Sequence, residues 1–521
     1  MKGLIGKLRT GIFAILASVY IIIMLIIYPL YLKDGYVYIA WNKFLFFRAV
    51  NVVAIIAAAV CFLVYPAAFR GIRRKFRNVR TNSPDIIMLL VYGAVTVISF
   101  FIADDRAHAL WGDFDWDMGL LTQLIFIFSY LLIRYGLSRE YHIKDIPIKG
   151  LILFGSLVTY AVVCVLELIQ RFGFDPFGWY ADFGFFDWNR RNLFSTMGNI
   201  NWLCGYMVIM LAIAYALYME AEGETKLFYG IVAFAGSGAL LLNGSMSGIF
   251  AYLFIMLALY LYSLSDGERF LRLIELLMMP MLFMSVLTVL NVPLLSSVEN
   301  DLTKLYTPLW GVGFFLLTLV YIMLSLFGIN EKRDIISVKP VQLFMKAVPA
   351  VLGIFAFIIL IMCQLSDDFW RSLGSIGFLK FDDSWGTMRG YVWRTTVQGF
   401  FDMPFINKLF GTGPDSYVLY MNENYNLTGL HDAQWNNTIY ANAHNEFLTM
   451  LINGGILGAV SYIAIFVAAM SKFVKNKSNP YALTGILAVT AYMSNQFFSF
   501  QTVCATPFIF IIMALCMTEE S

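Results

Sequence analysis

The chain has 521 residues, of which 60% are hydrophobic, 17% aromatic and only 13% charged, with a formal net charge of +2. Globular domains carry about 25% charged residues, so this composition excludes a purely soluble protein. The near-neutral balance gives no electrostatic reason to expect a nucleic-acid partner. Six cysteines (Cys61, Cys164, Cys204, Cys363, Cys504 and Cys516) lie far apart in or beside apolar stretches. They read as small core residues rather than a disulfide set or a metal site.

Residues 1–9 are basic and lead into an apolar run reaching residue 32, too long for the apolar core of a cleaved signal and expected to stay as the first span. Charge-poor runs of roughly 20 residues can cross a bilayer as helices. Such runs follow at 44–69, 84–103, 118–137, 148–168, 199–219, 227–242, 249–264, 274–291, 307–328, 343–363, 444–470, 481–498 and 502–517. Two pairs, 227–242 with 249–264 and 481–498 with 502–517, are short enough to be re-entrant hairpins instead. The expectation is an all-α polytopic membrane protein with 12–14 transmembrane helices. It divides into helices at 1–363, a large extracytoplasmic loop at 364–443 and C-terminal helices at 444–521.

Placing both termini in the cytoplasm collects the basic residues on that side. Arg70, Arg73, Arg74, Lys75, Arg77 and Arg80 come first, then Arg134, Arg139, Lys144 and Lys149. Arg269, Arg272, Lys332, Arg333, Lys472, Lys475 and Lys477 complete the set. This is the positive-inside bias, and it turns 364–443 outward. Charges within the spans are few. Arg48 can snorkel to the interface beside Lys43, and Glu167 lies one turn before Arg171. No file of carboxylates or histidines follows the helix centres, as a proton-coupled transporter needs, and no two matching halves of broken helices are visible.

The outward segment is rich in Trp, Tyr, Asp, Asn and Gly, residues that stack on sugar rings and bond their hydroxyls. Long loops are disproportionately functional. Residues 386–401 have a helical rhythm that puts Arg389 and Trp393 on one face, with Asp402-Met403-Pro404 as the stop. Gly411-Thr412-Gly413-Pro414-Asp415 is a glycine-rich turn, a motif more often a tight turn than an anion cradle. Ala443-His444-Asn445-Glu446 opens the next span. His444 is one of only four histidines and stands at the outer boundary, where a helix-capping role competes with a chemical one. A separate acidic turn, Asp113-Phe114-Asp115-Trp116-Asp117, has the spacing of a metal-binding DxD. A solvated turn among interfacial aromatics is its simpler reading, and no metal is expected.

The order Arg389-x3-Trp393, Gly411-x-Gly413-Pro414 and His444-Asn445-x2-Leu448, followed by Gly455 and Gly458, resembles the signature of the O-antigen polymerase and O-antigen ligase superfamily. Arg191, then Gly198-Asn199-x-Asn201 and Tyr206, resembles the family's segment before a middle span, and Trp111-Gly112 with Gly119 is a looser match. Two positions depart: Ser245-Met246-Ser247-Gly248 stands where the family commonly has Ser-Arg-Gly, and Asn453 where many members carry an acid.

The resemblance implies a GT-C-like membrane glycosyltransferase of the inner or plasma membrane that needs no metal or cofactor. It implies a glycan donor on a polyprenyl (undecaprenyl) diphosphate, a glycan acceptor, and a chain-length regulator as partner. Polymerisation of surface-polysaccharide repeat units is the first reading. Ligation of a finished glycan to an acceptor such as lipid A-core is the second, and transport of lipid-linked sugars the third. Arg389 and Arg191 are then expected to neutralise the diphosphate, guanidinium being permanently charged and able to bind phosphate through two bonds. His444 is the expected base or diphosphate contact, and Arg394, Trp393, Asn445, Gly411, Gly413 and Asn201 the expected substrate contacts.

Overall fold

A computed structural model describes residues 2–64, 83–137, 141–143, 145–181, 192–290, 307–330, 333–425, 440–476 and 478–517. Arg191 and the basic run 70–80 lie outside the described residues. Fifteen helices carry the architecture: α1 Lys2–Ile22, continued by π-helical and α-helical turns to Leu30, α2 Ile39–Val64, α3 Pro84–Ile102, α4 Leu120–Gly136, α5 Ile148–Arg171, α6 Ile200–Glu220, α7 Gly223–Asn243 and α8 Met246–Ser263 come first. Then follow α9 Gly267–Leu290, α10 Leu309–Met323, α11 Lys339–Leu365, α12 Trp385–Asp402, α13 Glu446–Lys475, α14 Ala482–Asn495 and α15 Thr506–Cys516. Eleven helices among the described residues are long and apolar enough to cross a membrane, so this is an all-α, multi-pass membrane protein. The only strands among these residues are three two-residue antiparallel pairs. The pair α7 and α8 forms two full-length helices, joined at Gly244 (φ +73°) and Ser245. α14 and α15 are only 14 and 11 residues long, separated by ten non-helical residues.

An apolar helix with no polar face belongs at the centre of a bundle. α6 fits: from Leu203 to Met219 almost every side chain is buried, packed by α7, α8 and α14. All of α15 is buried as well. By contrast α10 and α11, just as apolar, bury almost none of their side chains, the condition of helices whose neighbour is lipid.

Several basic residues read from sequence as loop charges are instead buried clamps at helix ends. Arg134 lies 3.6 Å from Asp85, which also accepts a 2.6 Å bond from the Tyr130 hydroxyl and faces Lys472 at 3.7 Å. Lys149 donates to the Met517 carbonyl, and Arg272 to those of Met219 and Ala221. A helix C-terminus leaves carbonyls unpaired and carries partial negative charge, so cations are favoured there. Lys43 is also buried rather than interfacial, donating to the Tyr28 and Pro29 carbonyls. Arg48 lies over the Trp111 ring, 4.5 Å from its centroid.

The longest helix, α13, is broken at Gly455 (φ +65°, ψ −169°), a conformation open essentially to glycine alone. A break frees the carbonyls of the preceding turn, and an unpaired carbonyl in an apolar medium costs several kcal/mol. The turn after α12 supplies the donors. Thr412 N–H bonds to Ile452 O at 2.9 Å, Gly413 N–H to Asn453 O at 3.1 Å, and the Ser99 hydroxyl of α3 also reaches Asn453 O at 2.7 Å. The approach is so close that a Cβ on Gly411 (φ +79°) would sit 2.2 Å from Asn453 O, and one on Gly455 2.4 Å from Leu409 C. A Cβ on the adjacent Gly454 would meet nothing within 4 Å. Gly411→Ala and Gly455→Ala should each lower thermal stability by more than the about 1–3 kcal/mol of backbone strain alone, whereas Gly454→Ala should be tolerated. Melting of the three purified variants checks this.

Candidate functional site

α12 starts at Trp385, passes through non-helical Gly386, Thr387 and Met388, and ends before Pro404, close to the span expected from its rhythm. Its inner face rests on a small core of its own, with Val392, Met403, Tyr417, Met421, Ala443 and Ile452 buried together. Trp393 donates its indole N–H to Ala443 O at 3.0 Å and stacks on Phe498, ring centroids 5.9 Å apart. It thereby joins the outward segment both to the residue before His444 and to the non-helical stretch between α14 and α15.

His444 is not in the helix that follows. Asn445 is the N-cap of α13, its Oδ1 accepting from Leu448 N–H at 3.1 Å, and His444 stands just before it in the left-handed region (φ +48°). Asn442 holds that conformation, its Oδ1 accepting from His444 N–H at 3.0 Å. The imidazole lies edge-on to Phe500 at 5.1 Å and to Tyr440 at 6.3 Å. Arg389 is the charged neighbour: its guanidinium donates one bond, to Gly386 O at 3.1 Å. Arg389 Nε and His444 Nδ1 are both buried without a hydrogen-bond partner among the described residues. Burial, then the Arg389 charge, pushes the His444 pKa down from 6.5 to about 3, and burial also lowers that of Arg389. The site thus holds a neutral imidazole beside a desolvated cation.

The other expected contacts are distributed. Arg394 is engaged by Asp383 through two bonds, Nε to Oδ1 at 3.0 Å and Nη2 to Oδ2 at 2.7 Å, on an exposed surface. Gly411 and Gly413 form the turn docked on α13. Asn201 accepts from the Ser245 hydroxyl at 2.9 Å, in a separate polar group where Asn243 bonds to Glu167 at 3.0 Å.

Asp415 carries a role that residue types alone did not reveal. Its Oδ2 accepts from the N–H groups of Asp113 (2.9 Å) and Met118 (3.0 Å), and its carbonyl bonds to His108. It therefore pins the acidic turn beside the docked glycine turn. Burial pushes the Asp415 carboxyl up to about 7. Burial and then the Asp415 charge do the same to Asp117, with Arg48 opposing. Among the described residues no three His, Cys, Asp or Glu side chains form a set that could hold a metal ion.

A cleft lined by residues of α3 and α13 and by Pro414 and Asp415 opens beside the glycine turn. Trp116, Phe500, Asn442, Gln123, Asn453 and Gln501 are among its lining residues. Glu446 also lines it. Its N–H bonds to Gln496 O at 3.0 Å, and its Oε2 accepts from Gln501 N–H at 2.8 Å, fixing the non-helical stretch between α14 and α15.

Residues 311–463, from α10 through the break in α13, match the family model described as O-antigen ligase. This segment belongs to the O-antigen ligase and polymerase superfamily. The O-antigen ligase match thus takes in Arg389, Trp393, the docked glycine turn and His444. No curated protein matches the chain.

The lowered pKa of His444 has a consequence for stability. Between pH 6.5 and about 3 the unfolded chain takes up a proton that the folded chain refuses, so this group makes the fold less stable as pH falls. His444→Gln should remove that share of acid sensitivity and leave stability near pH 8 unchanged. With four histidines in the chain, 15N-histidine spectra should also show one imidazole that stays neutral down to pH 4 and disappears in the variant.

Proposed function

We propose that this protein is a membrane glycosyltransferase that polymerises polyprenyl-diphosphate-linked oligosaccharide repeat units on the outer side of the cell membrane, with both termini cytoplasmic. The observation that carries the reading is the pairing of Arg389 and His444, each with a buried nitrogen left unpartnered, inside the segment that matches the O-antigen ligase family. In the proposed reaction an acceptor hydroxyl attacks the anomeric carbon of the donor. The bond to the diphosphate breaks, and the electron pair leaves with the phosphate oxygen. Arg389 meets the charge that develops there, with Arg191 as the second guanidinium. His444 takes the hydroxyl proton.

A base with a pKa near 3 is weak, and the arrangement supplies a remedy. A dianionic diphosphate against Arg389 offsets the positive charge that adds to burial in holding His444 neutral, so substrate binding raises its basicity where it is needed. Trp393 and Asn445 act as positioning residues, one bonded to Ala443 O and the other capping α13. Ligation of a finished glycan to a different acceptor is the second reading, favoured by the description of the matched family.

A hydrogen bond to a charged group contributes about 1.5–3 kcal/mol, on the order of ten- to a hundredfold in rate if made in the transition state. Arg389→Lys, which keeps the charge and loses the fork, should reduce polymer formation by that factor. His444→Ala should abolish most turnover at normal membrane abundance, because Asn445 still caps the helix. Wild-type polymer from His444→Ala would remove it from the chemistry. For orientation, cysteines placed at exposed Ser372 and Thr225 in intact cells should react with an impermeant maleimide only at 372; the reverse pattern would invert the topology.

A further inference from the structure

The cleft between α3 and α13 has a chemistry unlike that of the Arg389–His444 pair. Among the described residues no lysine, arginine or histidine lines it, while Asp415 and Glu446 do. A phosphate there would face two acids and no cation, so the diphosphate and this cleft belong to different parts of the substrate. The cleft is nevertheless unsatisfied. Asn453 Oδ1 and Gln501 Nε2 are buried without hydrogen-bond partners among the described residues, although both residues are more than nine-tenths buried. Buried amides are normally fully bonded, and an uncharged acceptor and donor on two residues that line one cleft call for a neutral guest that can both give and accept.

The neighbours set the guest's shape. Gln501 is held in place: its Oε1 accepts from Gln123 at 2.7 Å, and Gln123 in turn accepts from the Tyr92 hydroxyl at 2.9 Å. That leaves Nε2 without a well-formed hydrogen bond among the described residues, beside the Tyr92 and Tyr462 hydroxyls. Trp116 and Phe500 meet edge to face, 4.9 Å apart, and offer apolar surface beside the amides. Phe500 also carries the His444 ring on its edge, so the cleft and the proposed base share one wall.

We infer that this cleft is a subsite for an uncharged sugar unit of the glycan, with Asn453 and Gln501 reading its hydroxyls and Trp116 and Phe500 its apolar face. This rests on the glycosyl-transfer reading. The cleft discriminates against anionic sugars, because a buried negative charge there would find no cation among the described lining residues. Asn453 and Gln501 are selectivity residues and take no part in bond making.

The test uses the full-length protein in lipid nanodiscs and three bare probes: methyl α-glucopyranoside, N-acetylglucosamine and glucuronic acid. Hydrogen exchange is followed at 113–118 and 496–505. The neutral sugars should slow exchange at both segments at millimolar concentration, and glucuronic acid should not. Asn453→Leu removes an orphaned amide, so it should melt at or above the wild-type temperature while weakening neutral-sugar protection about tenfold. Gln501→Leu should weaken it similarly, and serves if Asn453→Leu does not fold. Absence of protection by either neutral sugar, equal protection by glucuronic acid, or unchanged affinity in both variants would overturn the inference. Sugar protection together with normal transfer by His444→Ala would uphold the subsite and remove the proposed mechanism. An inactive His444→Ala without sugar protection would do the opposite.

Discussion

The site depends on one carbonyl problem. α13 is broken at Gly455, and the carbonyls of Ile452 and Asn453 need donors where water is scarce. The N–H groups of Thr412 and Gly413 meet that need, and the two chain segments come so close that Gly411 and Gly455 have no room for a Cβ. From this junction the rest follows outward. The glycine turn delivers Asp415, Asp415 captures the N–H groups of the 113–118 turn, and Trp116 is thereby brought to the cleft.

The second half of the arrangement is held from the other end of the same helix. Glu446, in the first turn of α13, reaches across to the stretch between α14 and α15 through its own N–H and one carboxylate oxygen. Non-helical backbone at this depth is tolerated only inside protein or against a cavity. Here it brings Phe498 under Trp393 and Phe500 under His444. Asn442 and Asn445, on either side of His444, spend their side chains on backbone N–H groups, so the imidazole is presented on a strained, doubly braced residue. The helix start and the presentation of the histidine are one structural device.

Charge is separated within a short distance. Arg389 and His444 form a basic compartment with spare donors and acceptors, whereas the cleft beyond Phe500 holds carboxyls and amides. An amphiphilic glycan carrying a diphosphate at one end and hydroxyls along the rest matches that division.

Much of this was legible in the residues. Apolar run length marked the helices, because a bilayer's thickness is written into the sequence locally. The four-residue spacing of Arg389 and Trp393, the Pro404 stop, the glycine turn and the His-Asn helix start were local patterns too. What required the folded chain was every contact between distant segments. Arg394 has the residue type of a phosphate contact, but Asp383 lies close enough to take both ends of its guanidinium. Lys43, Lys149 and Arg272 count as interfacial or loop charges by position, and only packing shows that each closes a helix end. Asp415 bonding to Asp113, or Asn453 O to Gly413, spans 302 and 40 residues of chain. The sequence by itself determined the membrane-spanning helices and the pieces of the site, since both arise from neighbours along the chain. Only the tertiary structure decided which donors meet which acceptors, because backbone groups carry no side-chain signature and find partners solely through proximity.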